Sequence, residues 1–147
     1  MKYFFEDQQK QIELKRVLDE WRGTPFRHWA GVKNQGCDCI HFVTKVFEEL
    51  GLGPFKIPRY NKDWHLHNMD ELLLDGIVSQ LLYDDVGFDS PLNGDLMLFK
   101  FGKTNSHSAI YYDDHLYQSI NDIGVERIHW MDNRWHKRKR FCFRILT

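Results

Sequence analysis

The stretch Gly36-Cys37-Asp38-Cys39-Ile40-His41-Phe42 decides the predicted fold, because an amphipathic helix is predicted to begin inside it. Asp38 is a typical N-cap residue, which places Cys39 in the first turn. The segment 51–54, with two glycines and a proline, predicts the end of the helix. Between these limits, apolar residues recur at the spacings of a helix that packs on a core: Phe42, Val43, Val46, Phe47 and Leu50.

A cysteine in the first turn of a helix is a candidate nucleophile. The free backbone N–H groups and the positive end of the helix dipole favour the thiolate over the thiol at that position. Most free cysteines are instead small buried hydrophobic residues. The placement of Cys39 alone leaves both interpretations open.

The chain of 147 residues is predicted to form a single domain, residues 1–147, with a packed interior. Hydrophobic residues make up 42% of it and aromatic residues 15%, which argues against disorder. The formal net charge of −1 argues against a general attraction to nucleic acid or to an anionic membrane. The three cysteines do not indicate a disulfide framework.

The first residues of the chain lack the long apolar core of a signal peptide. No run of the sequence approaches the ~18 apolar residues of a membrane span. We therefore expect cytoplasmic synthesis without a signal peptide, so that any later appearance outside the cell depends on another route.

Helical patterns precede strand patterns along the chain. Helices are predicted over residues 6–21, with Ile12 on the apolar face, and over residues 68–82. Strands are predicted over 96–101, 106–112, 115–120, 124–130 and 140–146, the last with Phe141, Phe143 and Ile145 on one half-buried face. Helices followed by antiparallel strands predict an α+β fold.

A cysteine nucleophile needs a base and a third group that orients the base. His107 is the best placed of the eight histidines, because it begins a strand and the small residues Ser106 and Ser108 flank it. A tight turn at 113–114 makes Gln118 a diagonal neighbour of His107 on one face of the hairpin. The glutamine oxygen could accept the imidazole N–H and fix its tautomer. Taken singly, a strand-edge histidine and an outward polar glutamine are the more ordinary interpretations.

Other groups of polar residues have two interpretations each. His65 and His67 could ligate a metal or lie in a solvated loop, and neither they nor the C-x-C-x-H cluster at 37–41 has the spacing of a zinc site. The basic residues 136–140 could bind nucleic acid or form a solvated turn, and nothing else in the chain supports nucleic acid. The aromatic and basic loop 26–36 could cover the core or shape a ligand pocket.

Four motifs occur in order along the chain: Gly23-Thr24-Pro25-Phe26-Arg27-His28, Gly36-Cys37-Asp38-Cys39, Gly94-Asp95-Leu96-Met97-Leu98-Phe99 and Ser106-His107-Ser108-Ala109-Ile110-Tyr111. Together they resemble the successive motifs of the NlpC-type peptidase family. The resemblance is closest to the branch found in bacteriophages and prophages, which the stretch 57–64 also resembles.

This resemblance implies a papain-like α+β fold, in which N-terminal helices pack on an antiparallel sheet, and cleavage of peptide bonds in the stem peptides of bacterial murein. Cys39 matches the family's nucleophile, His107 its base and Gln118 its third, polar position. No metal or cofactor is implied. The implied partners are the peptidoglycan peptide and phage tail proteins, not nucleic acid or a membrane, with a place in the virion or release by the phage.

Two departures from the family pattern involve three residues. Ile40 and His41 replace the usual small residues after the nucleophile, which narrows the site or adds a second titrating group. Phe26 stands near a position where the family commonly has a tyrosine, whose hydroxyl hydrogen-bonds near the nucleophile. Phe26 has no hydroxyl, so this hydrogen bond is absent, or another tyrosine or Trp29 supplies it. The predicted substrate contacts are Phe26, Trp29, Asp38, His41 and Ser106.

The sequence therefore predicts a cysteine peptidase that acts on murein stem peptides. Two alternatives from other functional classes stay open. One is a phage tail or assembly module that keeps the fold without turnover, and the other is an amidase or acyl transferase with the same three residues.

Overall fold

A computed structural model describes residues 2–61 and 71–147 of the chain, and helix α1, Gln8–Trp21, lies near its start. Asp7 caps α1 by accepting a hydrogen bond from the Gln9 N–H at 2.8 Å. The predicted helix over 6–21 is confirmed apart from its first two residues, because Glu6 ends a 3₁₀ turn and Asp7 is the N-cap. The position predicted for Ile12 is wrong, because it lies about 200° around the helix from Leu14 and is 62% exposed. The buried face is Leu14, Val17, Leu18 and Trp21.

Helix α2, Cys39–Glu49, is the predicted central helix. The Asp38 carboxylate accepts a hydrogen bond from the His41 N–H at 2.8 Å, which confirms the predicted N-cap. All five predicted apolar residues of the stripe are buried. The helix ends before Gly51, whose φ of 92° lies in the left-handed region that favours glycine.

The third predicted helix, over 68–82, is only partly correct. Residues 68–70, like His65 and His67, lie outside the described residues, whereas Leu72–Ile77 forms a π-helical turn and Val78–Gln80 a 3₁₀ turn. The last two predicted residues are not helical, because the chain extends there into an unpredicted strand, β3, Tyr83–Asp85, which pairs with the C-terminal strand. None of the helices in the described ranges is long and apolar enough to cross a membrane.

The strands form a two-stranded ribbon, β1-β2, and a six-stranded sheet in the order β3-β8-β4-β5-β6-β7, counted over residues 2–61 and 71–147. All the pairings are antiparallel. The five predicted strands are confirmed with small shifts at their ends. The bounds are β1 Gly31–Val32, β2 Gly36–Cys37, β3 Tyr83–Asp85, β4 Leu96–Phe101, β5 Thr104–Tyr112, β6 His115–Ile120, β7 Gly124–His129 and β8 Lys139–Ile145.

The β5-β6 hairpin turns at Asp113 and Asp114, as predicted. Their φ angles of 44° and 65° are those of a tight turn with two left-handed residues. The pairing of Ile110 with Tyr117 keeps the register that such a turn imposes. This register determines which β6 side chains face the same way as those of β5.

Both faces of the large sheet are covered. The helices pack on one face and form the main core, whereas a second cluster on the other face includes Met97, Phe99, Ala109, Tyr111, Leu116 and Cys142. Trp130 and Trp135 pack against this second cluster. Trp130 precedes the short helix α3, Asn133–His136, and Trp135 lies within it. Cys142 is therefore fully buried, and the prediction that β8 is buried on one face only is wrong at that position, although the alternation of its side chains holds.

A buried ion pair fixes the start of β4 to β8. Asp95 is 0% exposed, and the Arg144 guanidinium donates to its two carboxylate oxygens at 3.2 and 2.9 Å. The Leu92 N–H donates to the same carboxylate at 2.8 Å. The Asp95 of the Gly94-Asp95 motif is thus a structural anchor immediately before β4.

Candidate active site

A cleft of about 280 Å³ lies where the start of α2 meets β5 and β6. Cys39, Ser106 and His107 line it together. The start of the helix is joined to β5, because the Ser108 hydroxyl donates to the Cys39 carbonyl oxygen at 3.0 Å. The structure therefore brings the candidate nucleophile and the candidate base into the same cleft.

The half-buried Cys39 side chain lies close to the strand that carries the histidine. Its Sγ atom is 3.6 Å from the carbonyl oxygen of Ser106, the residue before His107. This contact directs the thiol towards β5 rather than into the core. Cys37, in contrast, is buried with its Sγ atom 3.7 Å from the Ser119 hydroxyl and does not line the cleft.

Gln118 orients the imidazole of His107. The His107 Nε2 atom and the Gln118 Oε1 atom are 2.8 Å apart, and Gln118 is 0% exposed. A carbonyl oxygen only accepts hydrogen bonds, so Nε2 carries the proton and Nδ1 keeps a free lone pair. The geometry leaves His107 Nδ1 as the nitrogen that can take a proton from a thiol.

Burial sets the resting charges of the pair. Burial, with a smaller contribution from the nearby Asp38 carboxylate, raises the pKa of the Cys39 thiol to about 12. Burial lowers the pKa of His107 to about 4. The free protein therefore holds a neutral thiol and a neutral imidazole, and the predicted preference for a resting thiolate is wrong because desolvation outweighs the helix dipole.

The Asp38 carboxylate organises one wall of the cleft. It accepts hydrogen bonds from the backbone N–H of His41 and, at 2.9 Å, from that of Trp29. It also accepts from the Tyr60 hydroxyl and contacts His41 Nδ1 at 2.9 Å. Burial alone would raise the pKa of Asp38, but the hydrogen bonds from His41 and Tyr60 outweigh it and hold that pKa below its usual value. This wall therefore carries a fixed negative charge.

Tyr60 brings a hydroxyl group to the cleft. Phe26 lines the cleft as well and has none, which is the departure noted in the sequence. Burial raises the pKa of Tyr60 far above its ordinary value, and the adjacent Asp38 carboxylate adds to the effect. The Tyr60 hydroxyl is therefore protonated and acts as a donor.

The five predicted substrate contacts fall into two groups. Phe26, Asp38 and Ser106 line the cleft, whereas Trp29 and His41 lie behind its wall. The Trp29 ring packs edge-on against His41, with centroids 4.7 Å apart, and against Tyr60 at 5.1 Å. Trp29 and His41 therefore support the wall instead of lining it.

Sequence reasoning missed the aromatic wall beside His107. The Trp135 ring stacks on the imidazole, with centroids 5.0 Å apart and planes inclined by 30°, and Phe101 meets it edge-on at 5.9 Å. Both rings line the cleft. The signal in the sequence was Trp135 itself, which lies in a polar, basic segment. A large apolar ring in such a segment is expected to pack against other parts of the protein.

The described part of the chain has no group of three or more histidine, cysteine, aspartate or glutamate side chains arranged to hold a metal ion. Among these residues, the side chains of Cys37 and Cys39 have different neighbours, Ser119 and the Ser106 carbonyl respectively. The residues of the C-x-C-x-H cluster at 37–41 thus form the start of helix α2 and the end of the strand before it.

Comparison with known proteins matches residues 23–144 to the profile of the NlpC/P60 family. Among curated proteins, the chain is similar to murein DD-endopeptidase MepS/murein LD-carboxypeptidase of Escherichia coli K12, with 26% identity over 149 residues. The alignment covers 97% of this chain and 69% of that protein. The homologous protein of Escherichia coli O157:H7 matches to the same extent.

Solved structures of the same family share the fold. A Staphylococcus aureus protein described as similar to lipoprotein, NLP/P60 family, gives a TM-score of 0.68 at 16% identity, over 96% of this chain and 43% of that one. A Bacillus cereus NlpC/P60 family protein gives 0.64 at 22% identity, over 93% and 40%. The chain thus spans less than half the length of these two. The NlpC/p60 domain of peptidoglycan hydrolase SagA gives 0.59 at 14% identity, over 93% and 98%. The predicted papain-like α+β fold is confirmed.

Proposed function

Because this chain belongs to the NlpC/P60 family, we propose that it is a cysteine peptidase that hydrolyses peptide bonds in the stem peptides of bacterial peptidoglycan. The observation that carries the proposal is the presence of Cys39 and His107 in one cleft, with Gln118 hydrogen-bonded to His107. The names of the similar proteins, a murein endopeptidase and carboxypeptidase and a peptidoglycan hydrolase, support the substrate.

The first chemical step is attack of Cys39 on the peptide carbonyl carbon. As the Sγ–C bond forms, the thiol proton passes to His107 Nδ1 and the carbonyl π electrons move to the oxygen. Because both groups are neutral at rest, proton transfer accompanies the attack instead of preceding it. Gln118 keeps the imidazole in the tautomer that this transfer requires.

The second step breaks the peptide bond. The oxygen electrons return, the C–N bond cleaves, and His107 gives its proton to the leaving amine, which leaves a thioester on Cys39. Water then attacks the thioester with His107 as the base, and the second product leaves with a carboxyl group as the thiol re-forms. The net reaction consumes one water for each peptide bond.

The start of α2 stabilises the oxyanion of both steps. The Cys39 N–H is in the first turn, where helix N–H groups have no partner within the helix. A donor of this kind contributes about 3 kcal/mol to transition-state stabilisation. The helix dipole, which does not ionise the resting thiol, acts here on the charge that develops during the reaction.

The test is digestion of purified peptidoglycan. Wild-type protein should release new amine termini, and Cys39→Ala should release none. Cys37→Ala, which removes the neighbouring thiol from a buried position outside the cleft, is the matched control and should retain activity. A wild-type protein that releases no termini from any cell-wall preparation, or a fully active Cys39→Ala, contradicts the proposal.

A module of this fold without turnover is the second candidate, and the raised pKa of Cys39 favours it. Slow alkylation by iodoacetamide at neutral pH is expected under both functions, so turnover on a defined muropeptide distinguishes them. The product masses distinguish an amidase or an acyl transferase on the same scaffold. An amidase would cut a different bond, and an acyl transferase would join the acyl fragment to an added amine instead of to water.

A phage or prophage origin is part of the proposal and rests on the resemblance of the sequence motifs. A hydrolase of this origin reaches the wall inside the virion or after release by the phage, which makes phage tail proteins its proposed partners. Detection of the chain in purified virions tests this origin. A chain found only in uninfected, prophage-free cells contradicts it.

A further inference from the structure

The orientation of the Gln118 amide decides whether His107 can act as a base. An imidazole nitrogen donates or accepts according to its tautomer, and a glutamine amide presents its oxygen or, after a half-turn, its nitrogen. In the structure Gln118 faces the imidazole with Oε1, which places the proton on His107 Nε2 and leaves Nδ1 free. The reversed amide would donate to Nε2 and leave the proton on Nδ1, where it would block transfer from the thiol.

The other end of the Gln118 amide is a buried donor that lacks an acceptor. Its Nε2 atom forms no hydrogen bond with the groups of residues 2–61 and 71–147, although Gln118 is 0% exposed. Buried donors are nearly always paired in folded proteins. An acceptor that cannot also donate would both pair this nitrogen and favour the observed orientation of the amide.

The side chain directly opposite Gln118 on the neighbouring strand β7 is a carboxylate. Gln118 pairs with Glu126 in the β6-β7 register, so both side chains lie on the same face of the sheet. The Cβ atoms of such a pair are about 4.5–5.5 Å apart, which two long side chains can bridge. The residues two positions along either strand on this face have no polar side chain: Leu116, Ile120, Gly124 and Ile128.

The Glu126 carboxylate is available as the acceptor. It is half-buried and forms no hydrogen bond or close ion pair within the part of the chain that the structure describes. The hydrogen bond and the charge of Asp132 raise the pKa of Arg134 in α3, and the Glu126 carboxylate adds to this effect. The next residue of α3, Trp135, stacks on His107. Glu126 therefore lies near the short helix that covers the imidazole.

We propose that Glu126 is a positioning residue that accepts the Gln118 Nε2–H, directly or through one water, and so keeps Oε1 directed at His107. The inference rests on the proposed function, in which His107 Nδ1 takes the thiol proton. A carboxylate only accepts hydrogen bonds, so it disfavours the reversed amide, whose oxygen would face it. Glu126 thus adds a fourth residue, on β7, behind Cys39, His107 and Gln118.

The experiment compares the wild-type protein with Glu126→Gln and Glu126→Lys. An amide can accept or donate and an ammonium only donates, so the first variant removes the orientation preference and the second reverses it. NMR of the imidazole nitrogens at neutral pH should find the His107 proton on Nε2 in the wild-type protein, shared between both nitrogens in Glu126→Gln, and on Nδ1 in Glu126→Lys. With KM unchanged, kcat should fall about twofold in Glu126→Gln and at least about tenfold in Glu126→Lys, in proportion to the competent tautomer.

Two controls distinguish orientation of the amide from a change in charge or stability. Glu6→Lys reverses the same charge at an exposed position outside the cleft and should change neither the tautomer nor kcat. In a Gln118→Ala background the Glu126 substitutions should have no further effect on kcat, because no amide remains to be oriented.

A loss of kcat that persists in the Gln118→Ala background overturns the positioning role. An unchanged tautomer and kcat in both Glu126 variants also overturns it and leaves the proposed function intact. The expected tautomer series in a protein that cuts no peptidoglycan supports the positioning role and overturns the proposed function, because the NMR measurement does not depend on turnover.

Discussion

The indole ring of Trp135 stacks on the imidazole of His107, at a centroid distance of 5.0 Å and with planes inclined by 30°. It covers the imidazole ring, which is hydrogen-bonded to Gln118 of the neighbouring strand β6. Burial of the imidazole disfavours its charged form and lowers the pKa of His107 to about 4, although the hydrogen bond to Gln118 acts in the opposite direction. The stack thus holds the imidazole of His107 in place and favours its neutral form.

Trp135→Ala should move the acidic limb of the kcat/KM profile to higher pH. The substitution exposes His107, so its pKa should rise from about 4 towards the ordinary 6.5, and a protonated imidazole cannot accept the thiol proton. NMR titration of the His107 ring measures the pKa directly. Trp130→Phe, at a ring that packs on Tyr111, is the control. An unchanged limb in Trp135→Ala would show that the stack only stabilises the fold.

Gln118→Ala should lower kcat by about a hundredfold, because the imidazole loses the acceptor that fixes its tautomer. Gln118→Glu should instead raise the pKa of His107, since a carboxylate facing Nε2 favours the imidazolium. Activity measured from pH 4 to 8 distinguishes the two effects. Gln80→Glu adds the same charge at an exposed site and should change neither quantity. An unaltered pKa of His107 in Gln118→Glu would contradict the assigned contact.

The free energy of unfolding should fall as pH falls from about 6.5 to about 4. The native pKa of His107 lies below its ordinary value, so in this window the unfolded chain binds more protons than the folded one. The loss is on the order of 3 kcal/mol at its largest. Urea unfolding at several pH values measures it. His107→Gln should flatten this part of the curve, and an equally steep curve in the variant would assign the loss to other groups.

Arg144→Met should destabilise the fold by about 3–5 kcal/mol, because it leaves the Asp95 carboxylate buried and unpaired. Arg134→Met removes an arginine from a similar pair with Asp132 at the surface and should cost less than about 1 kcal/mol. Urea unfolding at neutral pH compares the two variants. Equal losses would show that the Asp95 pair is solvated in solution.

The parts of the fold that local signals determine could be predicted from the sequence. The carboxylate of Asp38 caps α2 within three residues of itself, and the turn at 113–114 fixes the β5-β6 register through its own backbone angles. The contact between His107 and Gln118 follows from that register. Short-range chemistry was sufficient for these features.

The remaining features depend on residues that are far apart in the sequence. Trp135 reaches His107 only because α3 folds back over the second face of the sheet, and no periodicity in its own segment indicates this. Strand β3 forms where β8 offers an unpaired edge, and the last two residues of the predicted helix are extended because they lead into this strand. The neutral resting thiol of Cys39 depends on how deeply the assembled cleft buries it, which position in a helix cannot reveal.

Part of the cleft wall comes from connecting segments, whereas Cys39, His107 and Gln118 come from the regular elements. Tyr60 lies in the irregular chain after α2, and Trp135 lies in the connection between β7 and β8. Exchange of either connection between family members would therefore alter substrate choice while the chemistry stays in place. In the proposed function, substrate choice and the chemistry of cleavage therefore depend on different parts of the chain, and evolution can change one without the other.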